Sequence, residues 1–244
     1  MKPRVWIPLV GVVALVLLAA GGSYVYFFSG LRTSPTALTL PSPSPSASAS
    51  AAASPSASTG GAGTWTVATG SIVGYRVKEQ FAGQASTHEA VARTGGVSGT
   101  VTITQSGTSF ELTSATITVQ LSGLASVDSV AGYNVTNRDR IVQQSLDVSS
   151  FPTATFTASS VAIPAGAASG QTVTINAPGQ MTIHGVTKNV TVSMQLRVSG
   201  STAQLAGSVG IVMTDYGVQP PHVPFTSVES AATIEFSLNL TKSA

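Results

Sequence analysis

The sequence predicts an all-β domain, a closed antiparallel barrel or a sandwich with one short helix, preceded by an N-terminal transmembrane helix and a disordered linker. Three observations carry this. From Trp65 onward, apolar residues recur at every second position, the period of a half-buried strand. Before that, Thr33 to Gly63 reads TSPTALTLPSPSPSASASAAASPSASTGGAG, with too little apolar surface to offset the entropy of ordering. Earlier still, Val5 to Gly30 holds no charged residue and is long enough to cross a bilayer core of about 30 Å as a helix.

Taken in order, residues 1–32 form a cytoplasmic tip and the membrane helix. The run VWIPLVGVVALVLLAAGGSYVYFFSG lies between Lys2 and Arg4 on one side and Arg32 on the other. Backbone groups in lipid must bond internally, so the run is expected to be helical. Pro8 falls in its first turns, where a missing N–H is tolerated, and Tyr24 and Tyr26 suit an aromatic interface belt. Lys2 and Arg4 favour a cytoplasmic N-terminus, which puts the C-terminal domain outside the cell membrane. A signal peptide cleaved near Ala19, Ala20 and Gly21 is the alternative; Tyr24 to Phe28 prolong the apolar run past that site and favour the anchor. Both readings export the domain. Residues 33–63 are the linker. Its prolines favour extended segments, and at about 3 Å per residue it is expected to be a spacer of up to ~90 Å. It reads equally as a stalk crossing a wall layer, open to O-glycosylation, or as a plain tether.

Residues 64–244 are the folded domain. Ala115, Ile117, Val119 and Leu121 alternate with polar residues, as do Val190, Val192, Met194, Leu196 and Val198, and Ile234, Phe236, Leu238 and Leu240. Shorter runs repeat the pattern: Val73, Tyr75, Val77; Val101, Ile103; Val173, Ile175; Met181, Ile183; Val209, Ile211, Met213. Thr and Val dominate, both β-branched, and Gly95–Gly96, Ser106–Gly107 and Ser199–Gly200 punctuate the runs as turns. So many strands, each apolar on one face, argue for a barrel or a sandwich. The helical candidate is NRDRIVQQSL, Asn137 to Leu146, ahead of the Phe151–Pro152 break.

Composition excludes several classes of function. Charged residues are 8% of the 244 and the net charge is +2, without the clustered Lys/Arg that nucleic acid requires. There is no cysteine, so an exported domain must be held by its core alone and no lipid anchor is made through a cysteine. No G-x-S-x-G and no phosphate-cradling loop occurs. Asn134, Asn189 and Asn239 each open an N-x-T triplet, a chance occurrence in a Thr-rich chain.

Two segments stand out chemically. Arg138, Asp139 and Arg140 are the densest charge cluster of the domain. Asp139 suits the first turn of a helix, which makes a solvated helix start one reading. A guanidinium also offers bidentate donors to a carboxylate, phosphate or quinone oxygen, which makes a ligand contact the other. The second segment, GQMTIHGVTKNVTV from Gly179 to Val192, reads as a strand, a tight His184–Gly185 turn and a strand. Gly185 allows backbone angles that other residues resist, and His184 is expected to hydrogen-bond locally and lock the hairpin. His88, His184 and His222 show no metal-ligand spacing; no metal and no cofactor is expected.

W-x-V…S-x-V-x-Y-x-V from Trp65 to Val77, Arg138–Asp139, FPTATF from Phe151 to Phe156, G-x-M-T-I-H-G-V-T-K from Gly179 to Lys188, and MTDYGVQPP from Met213 to Pro221 follow one another. In that combination and order, Trp65 to Leu240 resembles the YceI-like family. The resemblance implies a lipocalin-like antiparallel β-barrel whose apolar interior holds a long polyisoprenoid chain, in a cell-envelope protein, with a role in envelope stress, that binds rather than catalyses. The implied partners are a polyisoprenoid lipid or quinone inside the barrel and the membrane through the N-terminal helix; oligomeric state stays open. The chain departs from the family at Tyr75, where a Phe is usual, which puts a hydroxyl in or near the cavity. It departs too in the long polar segments Phe81 to Gly96 and Ser122 to Asn137, expected as loops flanking the barrel mouth, and at Glu229, where the late acidic residue is expected.

A barrel of about eight strands is just wide enough for side chains or one slender ligand. The candidate ligand-binding set is Tyr75, Val77, Ile117, Val119, Phe156, Met181, Ile183, Val192, Met194, Ile211, Met213 and Phe236, with Arg138 and Asp139 near the polar end. His184 and Gly185 are the structural turn. Methionines adapt to irregular apolar partners, yet the same residues also suit a filled core. The alternatives are therefore a non-catalytic envelope module with a packed interior, and an enzyme using His184, Asp139 and Asp215 as acid and base.

Overall fold

The structure, a computed structural model, describes residues 14–22, 32–41, 61–82, 87–130, 134–224 and 226–243. Residues 14–22 are helical and exposed. The rest of the expected membrane helix lies outside the described residues, and no described helix is long and apolar enough to cross a membrane. The strands are β1 (Arg32–Thr33), β2 (Gly63–Val67), β3 (Ile72–Phe81), β4 (His88–Thr94), β5 (Val97–Ser106), β6 (Ser109–Gln120), β7 (Ala125–Ser126), β8 (Ser129–Val130), β9 (Thr153–Ala158), β10 (Val161–Ile163), β11 (Val173–Ile183), β12 (Val186–Ser199), β13 (Thr202–Val212), β14 (His222–Val223) and β15 (Thr226–Lys242); the helix α1 is Thr136–Ser145.

Eight strands close a ring in the order β15-β2-β5-β6-β9-β11-β12-β13, all neighbours antiparallel. The seam is β13 against β15, paired from Thr202↔Thr241 to Val212↔Ala231. Closure removes the free edges that a sheet of this length would otherwise expose. β3 continues β2 along the same side of β15, and β4 pairs with β3 as β5 pairs with β2. The barrel choice of the two expected architectures is therefore the observed one. The alternating sets point as their period requires: Ile234, Phe236 and Leu238 face inward, and Glu235 between them faces outward.

The two ends of the barrel differ. At one end Trp65, Phe110, Val161, Ile163, Leu196 and Val198 form a packed cluster, with the Trp65 indole N–H donating to the Gly61 carbonyl at 2.9 Å. The other end is covered by α1. Asn134 Oδ1 accepts from the Thr136 N–H at 3.1 Å and starts the helix. Asp147, at φ 42°, ends it: the N–H groups of Asp147 and Val148 return to the carbonyls of Gln144 and Gln143, the left-handed stop that satisfies the last carbonyls. Residues 141, 142 and 146 then face the barrel interior.

The β11–β12 hairpin turns at His184 (φ 50°) and Gly185 (φ 73°), the two positive angles of a primed two-residue turn. The expected local hydrogen bond of His184 is not what holds it. The His184 ring instead lies 4.7 Å from the Phe151 ring at 59°, tying the hairpin to the Phe151–Pro152 break. A Cβ on Gly185 would come within 2.6 Å of Phe151. Gly185→Ala is therefore expected to lose about 1–3 kcal/mol of stability, readable by urea unfolding; an unchanged midpoint would refute this account of the turn.

Two expected loops are strands. His88–Thr94, inside the segment read as a polar loop, is β4, with Ala90, Val91 and Ala92 almost fully buried. Ser122 to Asn137 contains β7, which pairs with β4, and β8, which pairs with β1. The linker also begins differently. Rather than leaving the domain as a spacer, residues 32–41 run over its outer surface. β1 pairs Arg32↔Val130 and Thr33↔Ser129. The Ser34 hydroxyl donates to the Glu89 carbonyl at 2.6 Å and the Leu38 N–H to Glu235 Oε2 at 3.1 Å. Arg76, Arg93 and Arg197 donate to the carbonyls of Pro35, Thr36 and Pro41. Guanidinium donors and a buried carboxylate thus bind the backbone of this segment. The remainder of the linker, 42–60, lies outside the described residues.

Candidate functional site: an apolar cavity with a charged end

The barrel is hollow between its packed end and α1. The cavity is about 270 Å³, some twenty times the roughly 10–15 Å³ that seats one water. Tyr75, Val77, Ile117, Val119, Arg138, Phe156, Met181, Ile183, Val192, Met194, Ile211, Met213 and Phe236 all line it. Asp139 does not. Successive helix residues point about 100° apart, so Arg138 turns inward while Asp139 accepts from the Ser126 N–H at 2.9 Å and hydroxyl at 2.6 Å, anchoring α1 to β7.

The lining also includes Glu79, Leu121, Leu124, Ile141, Val142 and Leu146. Two signals could have found some of these. Glu79 continues the inward face of Tyr75 and Val77 at period two, and residues 141, 142, 145 and 146 form one face of a helix. Tyr216 lines the cavity as well; it is 2% exposed, and its hydroxyl has no partner among the described residues.

The polar end is an ion network beneath α1. Arg138 Nη2 donates to Glu79 Oε1 at 2.6 Å and Nη1 to Asp128 Oδ1 at 2.7 Å. His88 Nε2 sits 2.7 Å from Asp128 Oδ2, and the Val91 N–H donates to Asp128 Oδ1 at 3.1 Å. The two carboxylates respond differently. Burial raises both, but at Asp128 the hydrogen bonds from His88, Arg138 and the Val91 N–H outweigh it and hold the carboxyl at about 2. Glu79 has only Arg138 as a hydrogen-bond donor among the described residues, so burial wins and pushes it above the usual carboxylate range. Burial likewise pushes the Tyr75 hydroxyl far above the ordinary phenol range, with Arg138 opposing in part. Tyr75 is thus a neutral phenol beside this network.

Glu79, His88 and Asp128 each offer a ligand atom within 4.8 Å of the others, but the guanidinium already bridges both carboxylates and supplies the positive charge a metal would bring. The acid and base candidates stay in separate surroundings: His184 against Phe151, Asp139 on Ser126, and Asp215 in the 3-10 turn Met213–Tyr216. Glu229 is exposed in β15, and the buried late carboxylate is Glu235.

A search of curated proteins finds no match to this chain. Among solved structures, the barrel is similar to a polyisoprenoid binding domain from Saccharophagus degradans implicated in plant cell wall breakdown, at 16% identity and a TM-score of 0.51, over 73% of this chain and 98% of that one. It is also similar to Burkholderia cenocepacia BcnA, at 19% identity and a TM-score of 0.45, over 68% and 95% of the two chains. A third is a YCEI protein of Campylobacter jejuni, at 15% identity and a TM-score of 0.42, over 69% and 86%. The YceI-like domain itself matches residues 65–240, the stretch over which the motifs run in order and the barrel closes, and the chain belongs to that family.

Proposed function

We propose that this protein binds a polyisoprenoid or similar long apolar lipid, with the hydrocarbon chain in the barrel, as a carrier or sequestering protein outside the cytoplasm and tied to a membrane. The single observation that carries this is the hollow interior. A domain that used its inward Val, Ile and Met only as core would close on them, because an empty apolar cavity forfeits about 20 cal/mol for each Å² of its wall. Burial of a chain offsets that loss at roughly 0.8 kcal/mol per CH₂, so a few isoprene units suffice for tight binding. The membrane tie rests on the uncharged run from Val5 to Gly30. The strap on the barrel keeps that tie short: residue 22 to residue 32 is at most about 35 Å of extended chain.

Protein purified without detergent is expected to release an apolar molecule into an organic extract, identified by mass spectrometry. Delipidated protein is then expected to retain a prenyl lipid presented in vesicles. If the extract is empty and the delipidated protein takes up no prenyl lipid, the proposal fails.

A further inference from the structure

We propose that the prenyl chain enters and leaves the barrel sideways, through a slot between β12 and β13 that Tyr216 plugs, and not past α1. This rests on the lipid-binding reading above and adds the route to it.

The slot is a gap in the ladder. β12 and β13 pair from Ser193↔Ser208 to Ser199↔Thr202, although β12 begins at Val186 and β13 runs on to Val212. Residues 186–192 and 209–212 therefore continue toward the α1 end with no ladder between them. Outside this gap lies a groove of about 540 Å³, whose walls include Lys188, Val190, Gly210, Ile211, Val212 and Tyr216. Lys188 stands opposite Met181 in the β11–β12 ladder, and residues directly opposite share a face of the sheet. Met181 lines the cavity, so Lys188 and Val190 belong to the inward face. Lys188 is nevertheless exposed, and both residues are reached from the outer groove. An inward face open to the outside is what a hole in the wall produces.

Tyr216 fills the hole. It lines both the cavity and the groove. It shares one apolar cluster with Val190 and Val192 on one side of the gap and Val209 and Ile211 on the other. It is buried, yet its hydroxyl has no partner among the described residues. Buried hydroxyls are normally bonded, and one that is not stays at a cost. Turning outward gives this hydroxyl water and opens the gap in the same movement. The residue sits on a single 3-10 turn, Met213–Tyr216, closed by the N–H groups of Gly217 and Val218 on the carbonyls of Thr214 and Met213. α1 is held far more firmly. Lifting it breaks Arg138 from Glu79 and Asp128 and Asp139 from Ser126, leaving buried charges unpaired. Moving Tyr216 breaks no hydrogen bond of its hydroxyl among the described residues. The groove also adjoins the strap: Arg76 lines it and donates to the Pro35 carbonyl, which sets the slot beside the tether.

The chain has no cysteine, so a single introduced thiol can be labelled alone. A Cβ on Gly210 meets nothing within 4 Å, so Gly210→Cys places a thiol in the slot without a clash. Ser201→Cys, in the exposed turn at the far end of the same two strands, is the control. Each full-length variant is delipidated and labelled with a bulky maleimide, and uptake of a polyprenol from phosphatidylcholine vesicles is followed by mass spectrometry. The label on Gly210→Cys is expected to abolish uptake over the time in which the unlabelled variant completes it. Labelling after loading is expected to trap the polyprenol inside, which shows that the label blocks passage and not the cavity. The label on Ser201→Cys is expected to change neither. Tyr216→Phe, which removes the unpaired hydroxyl and keeps the ring, is expected to slow exchange roughly fivefold or more. A labelled Gly210→Cys that exchanges at its unlabelled rate, or a Tyr216→Phe variant that exchanges at the parent rate, overturns the side entry while leaving lipid binding intact. If the unlabelled parent takes up no polyprenol, the lipid-binding reading itself falls and takes this one with it.

Discussion

Glu235→Ala is expected to destabilise the domain by about 3–5 kcal/mol, lowering its thermal midpoint by roughly 6–20 °C. The carboxylate is 1% exposed although it lies on the outer face of the barrel, because the strap 34–38 covers it. Glu235 Oε2 accepts from Arg76 Nε at 2.7 Å and from the Leu38 N–H at 3.1 Å, and Oε1 accepts from Arg93 Nε at 2.9 Å. Removing it strands two partly buried guanidinium groups and one backbone N–H together. Arg76 retains Glu89 at 2.5 Å, but Glu89 is the more exposed partner and pairs weakly in consequence. The variant is also expected to expose 34–41 to limited proteolysis well before the barrel unfolds. Burial alone would raise the Glu235 carboxyl; hydrogen bonds from Arg76, Leu38 and Arg93 outweigh burial and lower it. Its contribution is therefore present above the ordinary carboxylate range and lost as pH falls below it, so acid is expected to loosen the strap in the parent protein and to change little in the variant. A variant whose thermal midpoint and strap cleavage match the parent would show that the buried carboxylate is not what holds the strap.

That same site explains what the sequence could and could not reveal. The inward faces were legible because a barrel wall obeys one simple period: Val192, Met194 and Leu196, or Ile234, Phe236 and Leu238, could occupy no other face once the strands were recognised. α1 was legible within a residue or so, since the Phe151–Pro152 break and the Arg138–Asp139 start bound it. The His184–Gly185 turn was legible because two positive backbone angles admit few residues. β4 was not. Glu89 and Arg93 make HEAVART look like a solvated loop, but Ala90 packs with Val77 and Ala232 and Ala92 with Leu121 and Leu124, while Ser34, some fifty residues upstream, and Glu235, about 140 residues downstream, bond to Glu89 and Arg93. Pairings of that separation leave no local pattern. Low complexity pointed the wrong way for residues 33–41, because the strap is held largely through its backbone, by the carbonyls of Pro35, Thr36 and Pro41 and the Leu38 N–H, with the Ser34 hydroxyl added. Arg138 was located by its isolation, but its partners Glu79 and Asp128 lie on other strands or turns, so its closure as an ion pair could be seen only in three dimensions. Asp139 was carried along as its neighbour; a helix sends adjacent residues to different faces, and only one of the two reaches the cavity.

Arg138→Met is expected to reverse the pH dependence of this end of the barrel. In the parent, Asp128 is held at about 2, below the value of about 3.9 for a free aspartate. The folded state then binds that proton less readily than the unfolded chain. The resulting stability, on the order of 2 kcal/mol, is fully present above about pH 4 and is lost as pH falls toward 2. Glu79 runs the other way: its raised carboxyl weakens the fold as pH rises through its titration, but Arg138 limits that penalty. Replacing the guanidinium with a methionine of similar length keeps the apolar stem packed and leaves two buried carboxylates facing each other, with only His88 and the Val91 N–H to satisfy them. At least one must then take up a proton, so the folded state binds protons more tightly than the unfolded chain. Stability is expected to fall as pH rises from 5 to 8, with a deficit of about 3–5 kcal/mol at neutral pH. The double variant Arg138→Met with Glu79→Gln is expected to recover a substantial part of that deficit, because it removes the repulsion rather than the packing. Urea unfolding of the parent and both variants at pH 5 and pH 8 reads all three quantities. A single variant that loses the same stability at both pH values would mean that Arg138 serves the fold through its stem alone.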